Sequence, residues 1–256
     1  MVTNQIYFYK GEHKMKTYRM NAVMTGVLYI LGTVFGILTL VGGKVFSSGI
    51  TNASLVGMDL LNLVTADSAK ITVGSFLTMM MGISLILMSV FLYPVLRKVS
   101  KEMAMGLILF RGALEGVFYL ISVLTFLSLA AVGKMNTTAG SESAVLQTIG
   151  NLLLQFLTFN SQLLSIVFVI GGMCIYIAFY RSRLIPRWLT IWGFIGMATT
   201  LTSALLTFFN METNLGFYLE IVLAPQELIM AVWLIVKGFN KSALAGLSEN
   251  AMKGNR

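Results

Sequence analysis

The 256-residue sequence holds one cysteine, one histidine and three prolines, and only 11% of it is charged. A single thiol, Cys174, excludes an intrachain disulfide framework and any paired-thiol metal site. It falls inside an apolar run and reads as packing. The sole histidine, His13, lies in a polar N-terminal stretch, which removes multi-histidine metal centres of the usual kind. Phosphate loops of the GxxxxGK[ST] type, HExxH, GxSxG and paired CxxC are all missing. No metal, cofactor or catalytic residue is therefore indicated, and the balance is against an enzyme.

What the chain has in abundance is hydrocarbon: 57% of its residues are hydrophobic and its mean hydropathy is +0.83, far outside the soluble range. A bilayer core about 30 Å thick takes roughly 20 apolar residues of helix, because backbone amides there must be bonded within the segment. Six stretches meet this, near residues 21–43, 71–96, 103–132, 160–180, 188–209 and 216–239. The expected fold is all-α, a polytopic integral membrane bundle of about six transmembrane helices over residues 21–240. Residues 1–20 and 241–256 form tails at either end. The first stretch exceeds a signal-peptide core and reads as a retained anchor.

The formal net charge of +8 does not point to nucleic acid, which needs a continuous basic face; these cations sit in short clusters between apolar runs. Membrane lipids are the implied partners. Of the 18 lysines and arginines, fourteen fall on one side of the expected membrane: Lys10, Lys14, Lys16 and Arg19, then Arg97, Lys98 and Lys101, then Arg181, Arg183 and Arg187, and finally Lys237, Lys241, Lys253 and Arg256. Three, Lys44, Lys70 and Lys134, fall on the other, and Arg111 lies within a helix. Cytosolic loops retain such residues, so both termini are expected in the cytosol. Trp188, Trp192 and Trp233 fall near the same boundary, where interfacial anchors belong. Residues 144–158 alternate apolar and amide side chains at helical spacing, and either lie on the outer interface or extend the fourth helix.

An ionisable side chain inside a bilayer costs roughly 2.5–3.5 kcal/mol, so one that persists needs a partner or a purpose. The third helix holds Arg111 and Glu115, four apart and stacked on one face, with Tyr119 a turn further on. The sixth holds Glu220 and Glu227, seven apart, with Gln226 beside the second. Pro225 removes an amide donor and is expected to kink that helix. By depth, Glu115 and Glu227 both come near the midplane. If these two helices touch, Arg111 faces two carboxylates, leaving one surplus negative charge unless a proton or cation is shared. Arg111, Glu115, Tyr119, Gln226 and Glu227 are thus the candidate ligand or ion site; the competing reading is an ion pair that only locks helices together. Gly112 with Gly116, and Gly32 with Gly36, form GxxxG pairs that predict close helix contacts.

Four segments carry a resemblance: Tyr93-Pro-Val-Leu-Arg-Lys98, Phe110-Arg-Gly-Ala-Leu-Glu-Gly116, Arg181-Ser-Arg-Leu-Ile-Pro-Arg-Trp188 and the run from Gln226-Glu227 to Lys237-Gly-Phe239. In that order they resemble a bacterial membrane family known as domain of unknown function 4386, over about residues 21–240. The resemblance implies a multi-pass protein of the bacterial cytoplasmic membrane and carries over no activity, cofactor or catalytic residue. Three functions remain open. The first is a transporter or small-solute binder whose cluster exchanges a proton or cation. The second is a non-catalytic regulatory or stress-related membrane subunit. The third, a lipid-directed enzyme, has least in its favour.

Overall fold

A computed structural model describes residues 2–39, 56–138, 143–209, 211, 219 and 222–253; Lys44, Glu220 and the segment 212–218 are among those outside it. Eight helices are found among the described residues, and no strand. They are α1 (Val2–Thr39), α2 (Gly57–Ala66), α3 (Ser68–Val99), α4 (Lys101–Asn136), α5 (Ser143–Ser182), α6 (Arg187–Phe208), α7 (Leu223–Val236) and α8 (Lys241–Lys253).

Five helices are long and apolar enough to cross a membrane: the Lys16–Thr39 part of α1, then α3, α4, α5 and α6. The sixth expected span is described as α7, whose 14 residues rise only about 21 Å. It passes the same test only together with Lys241–Leu247, which leaves it at 81°. Gly238, at φ +72°, makes that turn without the Cβ clash another residue would meet. The chain therefore has five to six spans. Helix α1 also continues back to Val2, through the stretch read as a tail. Helix α5 has 40 residues, about 60 Å, or twice the hydrocarbon thickness. Of the two placements left open for residues 144–158, the structure takes the extension of the fourth helix.

Lipid is as apolar as leucine, so these helices associate through close packing and internal polar contacts. Apolar side chains accordingly face outward along the spans, as with Leu124, Ile195 and Val232, while Ser75, Ser89 and Thr190 are buried. The buried hydroxyls of Ser75 and Ser89 donate to Ile71 O and Leu85 O, four residues back in their own helix. Helix α3 is held between α1 and α4 by three of the four GxxxG glycines. A Cβ on Gly32 would lie 3.1 Å from Leu85 Cδ2, on Gly36 3.0 Å from Met81 Sδ, and on Gly116 2.7 Å from Ile86 Cδ1. Gly112 is not crowded: its Cβ would meet Ser89 Cβ at an ordinary 3.6 Å.

The two ends of the bundle differ. At one, α2 packs against α4 and the extension of α5 around Leu60, Leu61, Val64, Leu129 and Leu157. Gly57 N–H donates to Asn151 Oδ1 at 2.8 Å, and Asn136 Nδ2 to Thr65 Oγ1 at 3.0 Å, which fixes that cap in place. At the other end the basic clusters converge. Arg19 Nη1 and Nη2 donate to Leu234 O and Ile235 O at 3.3 and 2.7 Å, clasping the last carbonyls of α7. Lys98 lies 4.8 Å from the centre of the Tyr18 ring, and Asn240 N–H donates to Leu184 O at 2.9 Å.

Candidate functional site

Helix α4 is not a uniform α-helix. Between Leu107 and Leu114 it widens into a π-helical segment of eight residues, closed by Glu115 N–H bonding to Phe110 O five residues back. Such segments are rare, and they concentrate at functional sites. Arg111 lies in the middle of this one. Helix α5 approaches it through Gly171, where an added Cβ would fall 2.9 Å from Arg111 N and 3.0 Å from Arg111 Cβ. A glycine is thus required where the α5 backbone crosses the widened turn.

The Arg111 side chain is 1% exposed and meets four helices. Within α4, its Nη1 lies 3.4 Å from Glu115 Oε2, and Glu115 is fully buried. From α7, Glu227 Oε1 accepts from Nη2 at 3.3 Å; that carboxylate keeps 16% of its side chain exposed. From α1, Tyr29 OH accepts from the same Nη2 at 3.4 Å. From α5, the Phe168 ring stacks under the guanidinium, its centre 4.1 Å from Cζ. These side chains therefore link α4 to α7, which itself packs on α1 and α6, and place one cation between two carboxylates. Arg111 is about 15 Å along the helix axis from Lys101, and Glu227 as far from Lys237, so both sit near half the hydrocarbon thickness.

Not every donor here is satisfied. Among the described residues, Arg111 Nε and Nη1 have no acceptor in good hydrogen-bond geometry. The 3.4 Å approach of Nη1 to Glu115 is an ion pair without a well-aligned hydrogen bond. Buried groups left in that condition are expensive.

Of the other expected members, Tyr119 stays beside the centre and Gln226 is turned from it. Gln226, next to Glu227, turns away from Arg111: its Oε1 accepts from Tyr176 OH at 2.6 Å and its Nε2 donates to Leu189 O at 3.0 Å. It ties α7 to α5 and α6, and so orients the helix that presents Glu227. Tyr119, one turn beyond Glu115, interacts with that carboxylate and packs its ring on Gly82 of α3, where an added Cβ would lie 3.1 Å from Tyr119 Cβ. Pro225 stands third in α7, a first-turn position where no intrahelical donor is needed. The carbonyl of Ile221, on which the expected kink depends, lies outside the described residues. Trp192 Nε1 donates to Val222 O at 3.1 Å, one residue before α7 begins.

Tyr29, Phe168, Gly171 and Tyr176 are members that the sequence reading left out. Phe168 and Gly171 sit in a run of aliphatic and small residues and give no local signal. Tyr29 and Tyr176 do carry one, since a phenol in mid-span must find a polar partner.

A polytopic helical membrane protein with a buried ionic centre joining its fourth and seventh helices is the class these features define. Residues 24–238 match the model of the family described as Domain of unknown function (DUF4386), and the chain belongs to that family. Comparison with curated proteins and with solved structures yields no match.

Proposed function

We propose that this chain is an ion-coupled small-solute transporter or ligand-binding protein of the bacterial cytoplasmic membrane, with both termini in the cytosol. The observation that carries the reading is a buried arginine shared by two carboxylates on different helices, 3.4 and 3.3 Å away. With all three groups ionised the centre holds a net negative charge, which a proton or small cation offsets. Arg111 then moves between partners as that cation comes and goes. Glu227 is the carboxylate through which the centre is reached, since it alone of the three is appreciably exposed.

Purified protein in liposomes tests this. Imposed proton or sodium gradients should drive uptake of some solute class, and Glu227→Gln should abolish the coupling while Glu115→Gln slows it. Flux that ignores both substitutions, or coupling that survives Glu227→Gln, overturns the reading. A fluorescent protein fused after Arg256 should mature in intact cells; failure to fluoresce there, with a periplasm-compatible reporter active instead, reverses the orientation.

A second reading has its own support. Phe168 stacks on the guanidinium of Arg111 and Gly171 packs against its backbone, as expected of a regulatory or stress-related subunit in which the cluster only joins helices. There, conservative variants should lose stability and complex assembly together.

A further inference from the structure

We propose that the cleft at the cationic end of the bundle binds the headgroup of an anionic membrane lipid that carries two phosphodiesters, as cardiolipin does. This cleft, about 500 Å³, opens between the α5–α6 turn and the α7–α8 turn. Arg183 and Arg187 line it from the first turn, Lys237 and Lys241 from the second, with Trp233 and Asn240 between them. All four cations are exposed, and no carboxylate lines the cleft among the described residues. Arg187 rests 5.3 Å from the centre of the Tyr180 ring; the other three heads have no ion-pair partner among the described residues.

Four exposed like charges around one opening raise the local positive potential, which an anion among them lowers. The two turns that carry them are tied together. Asn240 N–H donates to Leu184 O at 2.9 Å and so pins the two turns to one another. The floor is buried Leu184, Ile185 and Phe239, with the Phe239 ring 6.1 Å from that of Phe179. Arg183 is held at φ +55°, a left-handed conformation uncommon for a residue with a Cβ, and this aims its side chain from the turn. The negative helix end nearest the cleft is already neutralised, because Arg19 occupies the last carbonyls of α7.

Depth and charge together select the ligand. The cleft is bounded by the last turns of α5 and α7 and the first turn of α6, where the spans end, beside half-exposed Trp188. That is headgroup level, and basic pockets between transmembrane helices at this level accept phosphate-bearing headgroups. Two cations on each of two facing turns match two phosphates better than one.

Full-length protein in mild detergent can be titrated with cardiolipin, with phosphatidylglycerol at equal total charge, and with soluble pyrophosphate, with bound adducts read by native mass spectrometry. Cardiolipin should bind at least tenfold more tightly than either alternative. Lys237→Gln with Lys241→Gln should weaken it roughly thirtyfold, and adding Arg183→Gln and Arg187→Gln about several hundredfold in all, at about fivefold per cation. The charge-preserving pair Lys237→Arg and Lys241→Arg should retain binding. Equal cardiolipin affinity in wild type and the exposed double-lysine variant overturns the proposal, as does phosphatidylglycerol binding equally well. Pyrophosphate binding as tightly as cardiolipin overturns the lipid as the source of the phosphates.

Discussion

Replacing Gly171 by alanine puts a methyl group 2.9 Å from Arg111 N, 3.0 Å from its Cβ and 3.2 Å from its Cα. Two of those three atoms are backbone and the third is rigidly attached to it, so no rotamer change relieves the contact. Either α5 moves off the widened turn of α4 or the turn itself deforms. Overpacking of this kind costs roughly 1–3 kcal/mol. The intrinsic preference for alanine in a helix, about 1 kcal/mol at most, offsets part of it. Gly172 gives the informative comparison, because its added Cβ would come closer still, 2.5 Å from Met197 Sδ. A thioether on three rotatable bonds swings aside, so Gly172→Ala should cost less despite the shorter distance. Gly150, also on α5, meets only Leu60 Cδ2 at 3.6 Å and should be close to neutral. The sole cysteine supplies the assay. Cys174 is half-buried on α5, with Sγ 2.6 Å from the position a Cβ on Gly106 of α4 would take. Its reaction with a fluorogenic maleimide during heating therefore reports separation of α4 from α5. Gly171→Ala should melt lowest, by on the order of 5 °C, with Gly172→Ala between it and Gly150→Ala. A Gly171→Ala protein that melts with wild type, or a Gly172→Ala protein that melts lower, refutes the reasoning.

Arg111→Leu strands two carboxylates and should cost about 3–5 kcal/mol in the same melt, whereas adding Glu115→Leu and Glu227→Leu should recover most of it; a triple variant no better than the single contradicts this. Gln226→Leu leaves Tyr176 OH and Leu189 O without their partner and should cost roughly 1–3 kcal/mol. In a double-mutant cycle Tyr176→Phe should cost clearly less in that background than in wild type, and strict additivity counts against the pairing. Asn151→Ala removes the acceptor of Gly57 N–H, so amide exchange across Gly57–Ala66 should quicken about fivefold while the spans stay unchanged.

The spans were legible because hydrocarbon imposes a length, and the meeting of Arg111, Glu115 and Glu227 was legible because hydrocarbon punishes solitary charge. Gln226 was drawn into the same cluster by adjacency alone. Consecutive residues on a helix point about 100° apart, and Gln226 serves Tyr176 and Leu189 instead. The π segment over Leu107–Leu114 carries no signature in its run of Leu, Ile, Phe, Gly and Ala around Arg111. Gly112 and Gly116 look alike in sequence, yet only Gly116 is crowded, since which glycine meets a neighbour depends on where α3 crosses. Residues 144–158 carried an amphipathic pattern that fits an interface or an extension equally, and only the packing of α2 against α5 decides it.

The contact between Arg111 and Glu227 joins residues 116 apart in the chain. A polypeptide made from its N-terminus delivers the arginine to the bilayer long before its distant acid exists. Throughout that interval Glu115, one turn away, is its ion-pair partner among the described residues, and a neutral couple lowers the cost of placing α4 in lipid. When α7 emerges, its carboxylate reaches a centre already in place, and Arg19 awaits the far end of the same helix. Helix α7 is in this way captured at two points by groups on earlier helices.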